Sequence, residues 1–321
     1  MRKRKQNPTS EAIALPLIIG GALLSAEIGR RLFRRAQLFC PSREPLKSWD
    51  PADYGIPDGA VEEHWIETPD GEMLHAWYCR AKKPVASSVF CHGNTGNLTT
   101  SADVIPHLLN AGFSTLFFDY RGFGKSSGRA SFSGVVADGI TASRFHDKIR
   151  PKQLPSILYG YSLGGAVAAQ VIRRHPFDAM ILQSTFSNLP DLSRVFWRRF
   201  PMHLFAGTDV FNTVDTIRKL QVPLLLLHGT EDETCPCWMG HKIFDACPSP
   251  KRIHVVEGGM HKNLFIVDPD TLTWVISQFI AELPHGTRVQ SVDDTPPIEE
   301  WTNSALKTVR KLLRKRAAEH A

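Results

Sequence analysis

No arrangement of cysteines in this chain has the spacing of a metal site. The chain of 321 residues contains six cysteines. The segment Cys235-Pro236-Cys237 is one residue short of a C-x-x-C pair, and no histidine or cysteine cluster lies near it in sequence. The sequence therefore implies neither a metal nor an organic cofactor. Free thiols in a reducing compartment are the simpler interpretation of these cysteines.

An apolar run long enough to span a membrane is also absent near the N-terminus. The run from Ala12 to Ala26 covers fifteen residues, whereas a spanning helix needs about 20. Basic residues flank it on both sides, no small-x-small cleavage site follows, and no lipid-attachment cysteine is present. We expect residues 1–39 to form a membrane anchor or an interfacial helix. The alternative is an ordinary helix packed on the domain.

The body of the chain lacks positive charge. Lys and Arg outnumber Asp and Glu by 6 in residues 1–50 and by 5 in residues 303–321, so the net +6 of the whole chain leaves −5 for residues 51–302. A nucleic-acid groove on the body is therefore not expected. Basic ends fit an anionic membrane surface, and nucleic-acid binding by the ends is the alternative. We expect a membrane-associated protein that faces the cytoplasm, with a soluble cytoplasmic protein as the second possibility.

The C-terminal segment, residues 285–321, is predicted to be a linker followed by a basic amphipathic helix. Between residues 297 and 321 the apolar residues share one helical stripe, and basic residues occupy much of the remaining surface. The stripe consists of Ile298, Trp301, Ala305, Leu306, Val309, Leu312 and Leu313. This pattern is typical of a helix that lies on a membrane surface. The alternative is a solvated or domain-packed helix.

Between these ends, short apolar strands alternate with helical segments. Residues 40–60 are rich in Pro, Asp and Gly and are predicted to form a linker. Residues 61–284 are predicted to form one α/β domain that begins with an antiparallel pair, Val61–Thr68 and Met73–Cys79, around the turn at 69–71. The later strands predict a mostly parallel sheet covered on both faces, with the active site at the carboxyl ends of its strands.

The chain is organised around Gly160-Tyr161-Ser162-Leu163-Gly164, which follows a buried strand and precedes a helix rich in small residues. A serine at such a tight junction takes a strained backbone conformation, and the residues two positions before and after it, Gly160 and Gly164, must lack side chains to avoid clashes. Its hydroxyl is then exposed, and the next backbone N–H, on Leu163, points into the same space at the positive end of a helix.

Two later strand ends supply an acid and a histidine. Asp232 follows the run of leucines at 224–227, and His261 follows the apolar strand at 253–256. The order Ser162, Asp232, His261 is the chain order of one hydrolase architecture. A neutral imidazole can remove the serine proton at physiological pH, and a carboxylate can orient that imidazole. Glu231 and Glu233 flank Asp232, so the identity of the acid stays open.

The sequence resembles α/β-hydrolase fold serine hydrolases, and within them the membrane-associated bud-emergence-type and depalmitoylase-type domain proteins. Six motifs in one order between residues 61 and 284 carry the resemblance. They are His92-Gly93-Asn94-Thr95-Gly96-Asn97, the stretch 118–126 from Phe118 to Ser126, Gly160-Tyr161-Ser162-Leu163-Gly164-Gly165, Gln183-Ser184-Thr185-Phe186, His228-Gly229-Thr230-Glu231-Asp232 and Gly259-Met260-His261. The resemblance implies an eight-stranded, mostly parallel sheet with helices on both faces and a small lid at about 187–220.

The resemblance also implies roles for individual residues. Ser162 is expected to be the nucleophile, Asp232 the acid and His261 the base, with the N–H groups of Leu163 and Asn94 forming the oxyanion hole. Substrate-binding residues are expected to be Tyr161, Tyr120, Phe123, Phe196 and Trp197, and the aromatic residues of the lid suggest an apolar group in the substrate. Packing within the lid is the alternative for these aromatic residues.

The predicted function is a serine hydrolase that cleaves a carboxylic ester or thioester of a small or lipid-like molecule through an acyl-enzyme. Two alternatives stay open. The same three side chains serve amidases and peptidases, because the choice of leaving group depends on pocket shape. A non-catalytic, membrane-associated scaffold with the same fold is the other alternative.

Overall fold

A computed structural model describes residues 38–196 and 211–283 of the chain. Its centre is an eight-stranded sheet, which confirms the predicted architecture. In chain order the strands of this sheet are β2 Val61–Glu67, β3 Met73–Cys79, β4 Ala86–Cys91, β6 Phe113–Phe118, β7 Ser156–Tyr161, β8 Ala179–Gln183, β9 Leu224–Gly229 and β10 Lys251–Val256. Two further short strands, β1 Cys40–Pro41 and β5 Thr95–Gly96, form a separate parallel pair.

The spatial order of the main sheet is β10-β9-β8-β7-β4-β6-β3-β2. The pairs β2–β3 and β3–β6 are antiparallel, and the other neighbouring pairs are parallel. The antiparallel hairpin at the start of the domain is therefore as predicted. Of the six strands with parallel neighbours, five consist of buried residues almost throughout, since helices cover them: β4, β6, β7, β8 and β9.

The helices follow the strands in alternation. They are α1 Ile105–Asn110, α2 Phe132–Ile149, α3 Leu163–Val171, α4 Leu189–Phe196, α5 Thr213–Ile217, α6 Cys237–Ala246, α7 Leu264–Val267 and α8 Pro269–Ala281. A 3-10 helix, Leu98–Val104, precedes α1 and continues into it. Pro106 lies in the first turn of α1, where its missing N–H costs no helical hydrogen bond.

Aromatic rings cross the middle of the sheet and contribute to the core. The Phe90 ring on β4 stacks on Phe117 of β6 at 4.6 Å and on Tyr159 of β7 at 4.9 Å between ring centroids. All three residues are fully buried. This packing makes the central strands a rigid platform, and the loops at their carboxyl ends carry the site described below.

Residues 40–60 are packed on the domain, so the prediction of a linker is wrong. The segment includes β1 and a 3-10 helix, Pro51–Tyr54, and its Tyr54 and Ile56 are buried in the main core. The Cys40 N–H also donates to the Asn94 carbonyl oxygen at 2.8 Å. A composition rich in Pro, Asp and Gly carries no information about packing.

Several predicted segments lie outside the described residues. These are residues 1–37 of the predicted anchor, the predicted C-terminal helix and residues 197–210 of the predicted lid. The described parts of the lid region contain α4 and α5. Within 38–196 and 211–283, the helices are too short or too polar to cross a membrane.

Candidate active site

Ser162 lies at the junction of β7 and α3 in a backbone conformation that is rare for a residue with a side chain. Its φ is +54°, and it occupies the N-cap position of α3. Glycines make this junction possible: a Cβ on Gly160 would lie 2.6 Å from the Gly165 Cα, and a Cβ on Gly164 would overlap the carbonyl group of Cys91. The helix start is thus pressed against the ends of β4 and β7, as the glycine pattern predicted.

Hydrogen bonds hold the strained serine from both sides of its Cα. The Ser162 N–H donates to the Gln183 carbonyl oxygen at 2.9 Å. Its own carbonyl oxygen accepts from the Thr185 hydroxyl at 2.7 Å and from the Gly165 N–H at 3.0 Å. These contacts offset the cost of the unusual backbone conformation, which is about 1–3 kcal/mol. The motif at 183–186 contains Thr185, but no role in the site was predicted for it, although its place just after a buried strand was a usable signal.

The structure brings Ser162, His261 and Asp232 together in one chain of hydrogen bonds. The His261 Nε2 lies 2.9 Å from the Ser162 Oγ. On the other side of the ring, Nδ1 lies 2.8 Å from Oδ2 and 3.0 Å from Oδ1 of Asp232. If Nδ1–H donates to the carboxylate, Nε2 is left with the lone pair that can accept the serine proton.

The neighbourhood of Asp232 distinguishes it from the two adjacent glutamates. Asp232 is buried, whereas Glu231 and Glu233 are exposed. Burial alone would raise the pKa of Asp232, but hydrogen bonds from His228, His261 and the Cys235 N–H, together with the charge of His261, lower it to about 2. The carboxylate therefore stays ionised across the physiological range.

His228 supports the turn that carries Asp232. It is fully buried at the end of β9, and its Nε2 donates to the Cys235 carbonyl oxygen at 2.6 Å. The same nitrogen lies 3.5 Å from Oδ2 of Asp232. The Thr234 and Cys235 N–H groups donate to Oδ1 of Asp232 at 3.0 and 2.7 Å. The turn that carries Asp232 therefore holds this carboxylate independently of its contact with His261.

Two backbone segments meet beside the serine hydroxyl. Leu163 is the first residue of α3, so its N–H has no acceptor within the helix and is free to face developing negative charge. The loop after β4 approaches from the other side, since a Cβ on Gly93 would lie 3.7 Å from the Ser162 Cβ. Asn94 follows directly on this loop. The loop that carries Asn94 thus approaches Ser162, and Leu163 follows Ser162 directly in α3.

The predicted substrate-binding residues fall into three groups. Tyr161 is half-buried beside the histidine, and its hydroxyl donates to the His261 carbonyl oxygen at 3.2 Å. Phe196, at the end of α4, exposes 55% of its surface. Trp197 lies outside the described residues.

Tyr120 and Phe123 form the third group, and here the prediction is corrected. Both are fully buried and pack on His92, with ring centroids 4.5 and 5.2 Å away. The Tyr120 hydroxyl donates to the His92 carbonyl oxygen at 3.2 Å. They support the loop after β4 and present no surface to a ligand, because their loop turns these side chains inward.

Comparisons with known proteins agree with this architecture. Residues 82–207 match the Hydrolase_4 family, described as Serine aminopeptidase, S33. The lysophosphatidylserine lipase ABHD12 of Danio rerio is 29% identical over 264 residues, which cover 69% of this chain and 67% of that protein. An uncharacterized protein of Mycobacterium tuberculosis is 28% identical over 276 residues, 84% of this chain and 95% of its own length.

Among solved structures, the esterase Pf2001 of Pyrococcus furiosus superposes with a TM-score of 0.64 at 19% sequence identity. The superposition covers 77% of this chain and 98% of the esterase. At this identity the likeness concerns the fold.

Proposed function

We propose that this chain, which is a serine hydrolase of the α/β-hydrolase fold, cleaves carboxylic ester or thioester bonds through an acyl-enzyme formed on Ser162. The observation that carries the proposal is the continuous hydrogen-bonded chain from the Ser162 hydroxyl through His261 to Asp232, with distances of 2.9 and 2.8 Å. A serine hydroxyl is a poor nucleophile until a base removes its proton, and this arrangement supplies the base and its orienting carboxylate.

The first half of the reaction forms the acyl-enzyme. The Ser162 oxygen attacks the carbonyl carbon of the substrate while the His261 Nε2 takes the serine proton. The carbonyl oxygen becomes an oxyanion, which the N–H groups of Leu163 and Asn94 stabilise. His261 then gives its proton to the leaving alcohol or thiol as the bond to the carbonyl carbon breaks.

Water completes the cycle by the same roles in reverse. His261 removes a proton from a water molecule, whose oxygen attacks the acyl carbon, and the second oxyanion collapses with release of the acid. His261 returns the proton to Ser162. Asp232 remains ionised throughout and stabilises the imidazolium form of His261 in both halves, in keeping with its lowered pKa of about 2.

Fluorophosphonate labelling and a substrate panel test this proposal. We expect the wild type to be labelled and to hydrolyse p-nitrophenyl esters, whereas Ser162→Ala is not labelled and loses at least a thousandfold in kcat. Equal turnover by wild type and Ser162→Ala contradicts the proposal. An unlabelled and inactive wild type favours the alternative of a non-catalytic scaffold.

An amide-cleaving enzyme is the second candidate, because the matching family over residues 82–207 is described as a serine aminopeptidase. The proposed machinery is the same, and only the leaving group differs. A p-nitroanilide placed beside the matching p-nitrophenyl ester and thioester distinguishes them. If kcat/KM for the anilide equals or exceeds that for the ester, the amidase assignment replaces the esterase.

A lipid ester is the substrate class that one sequence relative supports. A relative that is 29% identical is named a lysophosphatidylserine lipase, so lysophospholipids belong in the substrate panel beside p-nitrophenyl esters of increasing chain length. A rise in kcat/KM with acyl length supports a lipid-like substrate. A preference for acetyl over long acyl esters contradicts it.

The basic ends of the chain are proposed to bind an anionic membrane surface. The support is their charge, +6 over residues 1–50 and +5 over residues 303–321, against −5 for the body. The full chain is expected to float with phosphatidylserine-containing vesicles and to be released as salt increases. Retention on DNA with a steep salt dependence, without flotation, favours nucleic-acid binding instead.

A further inference from the structure

The proposed oxyanion donor Asn94 belongs to a loop that is held by a distant part of the chain. We call residues 92–97 the oxyanion loop and residues Cys40–Ser42 the strap. The strap includes β1, which pairs in parallel with β5 of the oxyanion loop: Cys40 opposes Thr95, and Pro41 opposes Gly96. The Cys40 N–H donates to the Asn94 carbonyl oxygen at 2.8 Å, and the Ser42 N–H donates to the Gly96 carbonyl oxygen at 2.8 Å.

The strap is in turn fastened to the loop that follows β6. The Gly124 N–H donates to the Ser42 carbonyl oxygen at 2.9 Å. The Arg43 guanidinium donates to the carbonyl oxygens of Gly124, at 3.1 Å, and Ser126. The Asn97 side-chain amide donates to the Ser42 carbonyl oxygen at 3.2 Å and to that of Glu44 at 2.7 Å. The strap therefore has fixed supports against which the oxyanion loop is held.

A second contact acts on the peptide on the other side of Asn94. The His92 Nδ1 lies 2.8 Å from the Gly93 carbonyl oxygen, and because a carbonyl only accepts, this nitrogen donates. The peptide between Gly93 and Asn94 is planar and trans, so its C=O and N–H point in opposite directions. Fixing the Gly93 carbonyl oxygen therefore fixes the direction of the Asn94 N–H.

His92 is well supported for this task. It is buried, and the rings of Tyr120 and Phe123 pack on it. Burial lowers its pKa, so the ring is neutral in the physiological range and acts as an orienting group without charge. Together, His92 and the strap hold the two peptides that flank the Asn94 Cα.

We propose that the strap and the His92 ring are positioning elements of the oxyanion hole, which aim the Asn94 N–H at the oxyanion next to Ser162. This inference rests on the proposed function. A donor contributes to catalysis only if it already points at the position of the developing charge, because reorienting it during the reaction costs free energy. A chain segment some 50 residues before the loop is thereby part of the site.

The test removes one donor at a time in the full chain. Cys40→Pro deletes the N–H that donates to Asn94, and Cys40→Ala keeps that N–H while it removes the thiol. We expect kcat of Cys40→Pro to be at least tenfold below that of Cys40→Ala, with KM within about twofold, because the lost interaction belongs to the transition state.

His92→Phe is the second variant, since it keeps an aromatic ring on Tyr120 and Phe123 but cannot donate to Gly93. It is expected to show the same fall in kcat at nearly constant KM, which keeps the proposal testable if proline at residue 40 prevents folding. In both Cys40→Pro and His92→Phe, the affinity for a trifluoromethyl ketone, which forms an oxyanion on Ser162, should fall by the same factor as kcat. A general loss of packing would lower the thermal midpoint of unfolding, but kcat and the affinity for the ketone would not fall by the same factor.

The outcomes separate the two proposals. Suppose that turnover depends on Ser162 but is equal, within twofold, in the wild type, folded Cys40→Pro and folded His92→Phe. This result overturns the positioning role of the strap and His92 and leaves the proposed function standing. A wild type without Ser162-dependent turnover overturns the proposed function and this inference with it.

Discussion

The hydroxyl of Tyr161 donates a hydrogen bond to the backbone carbonyl oxygen of His261, with 3.2 Å between the two oxygens. The rings of these residues lie 5.5 Å apart. The residue directly before the proposed nucleophile therefore holds the loop that carries the proposed base, 100 residues further along the chain. Proton transfer needs the base within hydrogen-bond distance of the hydroxyl, so this contact helps to set a distance on which the proposed reaction depends.

Tyr161→Phe removes only this hydroxyl and is expected to lower kcat about tenfold, because small displacements of a catalytic group are costly. The free energy of unfolding should fall by about 1 kcal/mol, as for one partly buried hydrogen bond. Steady-state kinetics and urea denaturation measure the two effects. Tyr78→Phe, which removes a buried hydroxyl on β3 that faces Ser87 at 3.5 Å, is the control for stability without catalysis. An unchanged kcat in Tyr161→Phe contradicts the role of this contact.

Thr185 is predicted to position the nucleophile through the Ser162 carbonyl oxygen, which accepts from its hydroxyl at 2.7 Å. Thr185→Val keeps the shape and loses the donor, so we expect a loss of about 1–2 kcal/mol in the free energy of unfolding and about a tenfold lower rate of fluorophosphonate labelling.

Thr185→Ser restores a hydroxyl at the same position and is the matched control for Thr185→Val. We expect it to recover most of the labelling rate. If Thr185→Val and Thr185→Ser are labelled at equal rates, the hydroxyl has no positioning role and Thr185 contributes to packing alone.

Much of the fold was predictable because its signals are local. The antiparallel pair was predicted at Val61–Thr68 and Met73–Cys79 and lies at Val61–Glu67 and Met73–Cys79, because two strand-like runs around a turn are a local signal. The meeting of Ser162, Asp232 and His261 was predictable because each lies shortly after the end of a strand, and parallel strands bring their carboxyl ends to one edge of the sheet.

The features that were missed depend on contacts between distant residues. Nothing local to 40–60 shows that Tyr54 and Ile56 enter the core or that Cys40 pairs with the oxyanion loop. Likewise, Tyr120 and Phe123 face His92 because of how their loop turns. Propensity and pattern describe a segment, whereas side-chain direction in a loop is decided by what packs against it.

Gly164 is predicted to tolerate no side chain. A Cβ at this position would overlap the Cys91 carbonyl group and lie 2.6 Å from the His92 carbonyl oxygen. These are backbone atoms at the end of β4, so no side chain can move to relieve the clash. Gly164→Ala is expected to cost about 3 kcal/mol in the free energy of unfolding, at the upper end for overpacking.

Gly139→Ala is the matched control for this substitution, because its new methyl group would meet only the side chains of Val171 and Val167. It lies inside α2, where alanine is favoured over glycine by about 1 kcal/mol. Urea denaturation should therefore give a much smaller loss for Gly139→Ala. Equal losses in the two variants contradict the proposed backbone clash.

Asp232 is predicted to contribute stability that disappears in acid. Its pKa is about 2 in the folded protein, against an ordinary value of 3.8. Because the folded-state pKa is the lower one, the contribution of about 2 kcal/mol is complete above about pH 5 and is lost as the pH falls through about 2. Urea denaturation at constant ionic strength should give a larger free energy of unfolding for the wild type than for Asp232→Asn. This difference should shrink as the pH falls from 5 to 2. Glu233→Gln, at the exposed neighbouring position, should follow the wild-type curve. A margin that stays constant over this range means that the Asp232 carboxylate is not stabilised in its charged form by His228, His261 and the N–H groups of its turn.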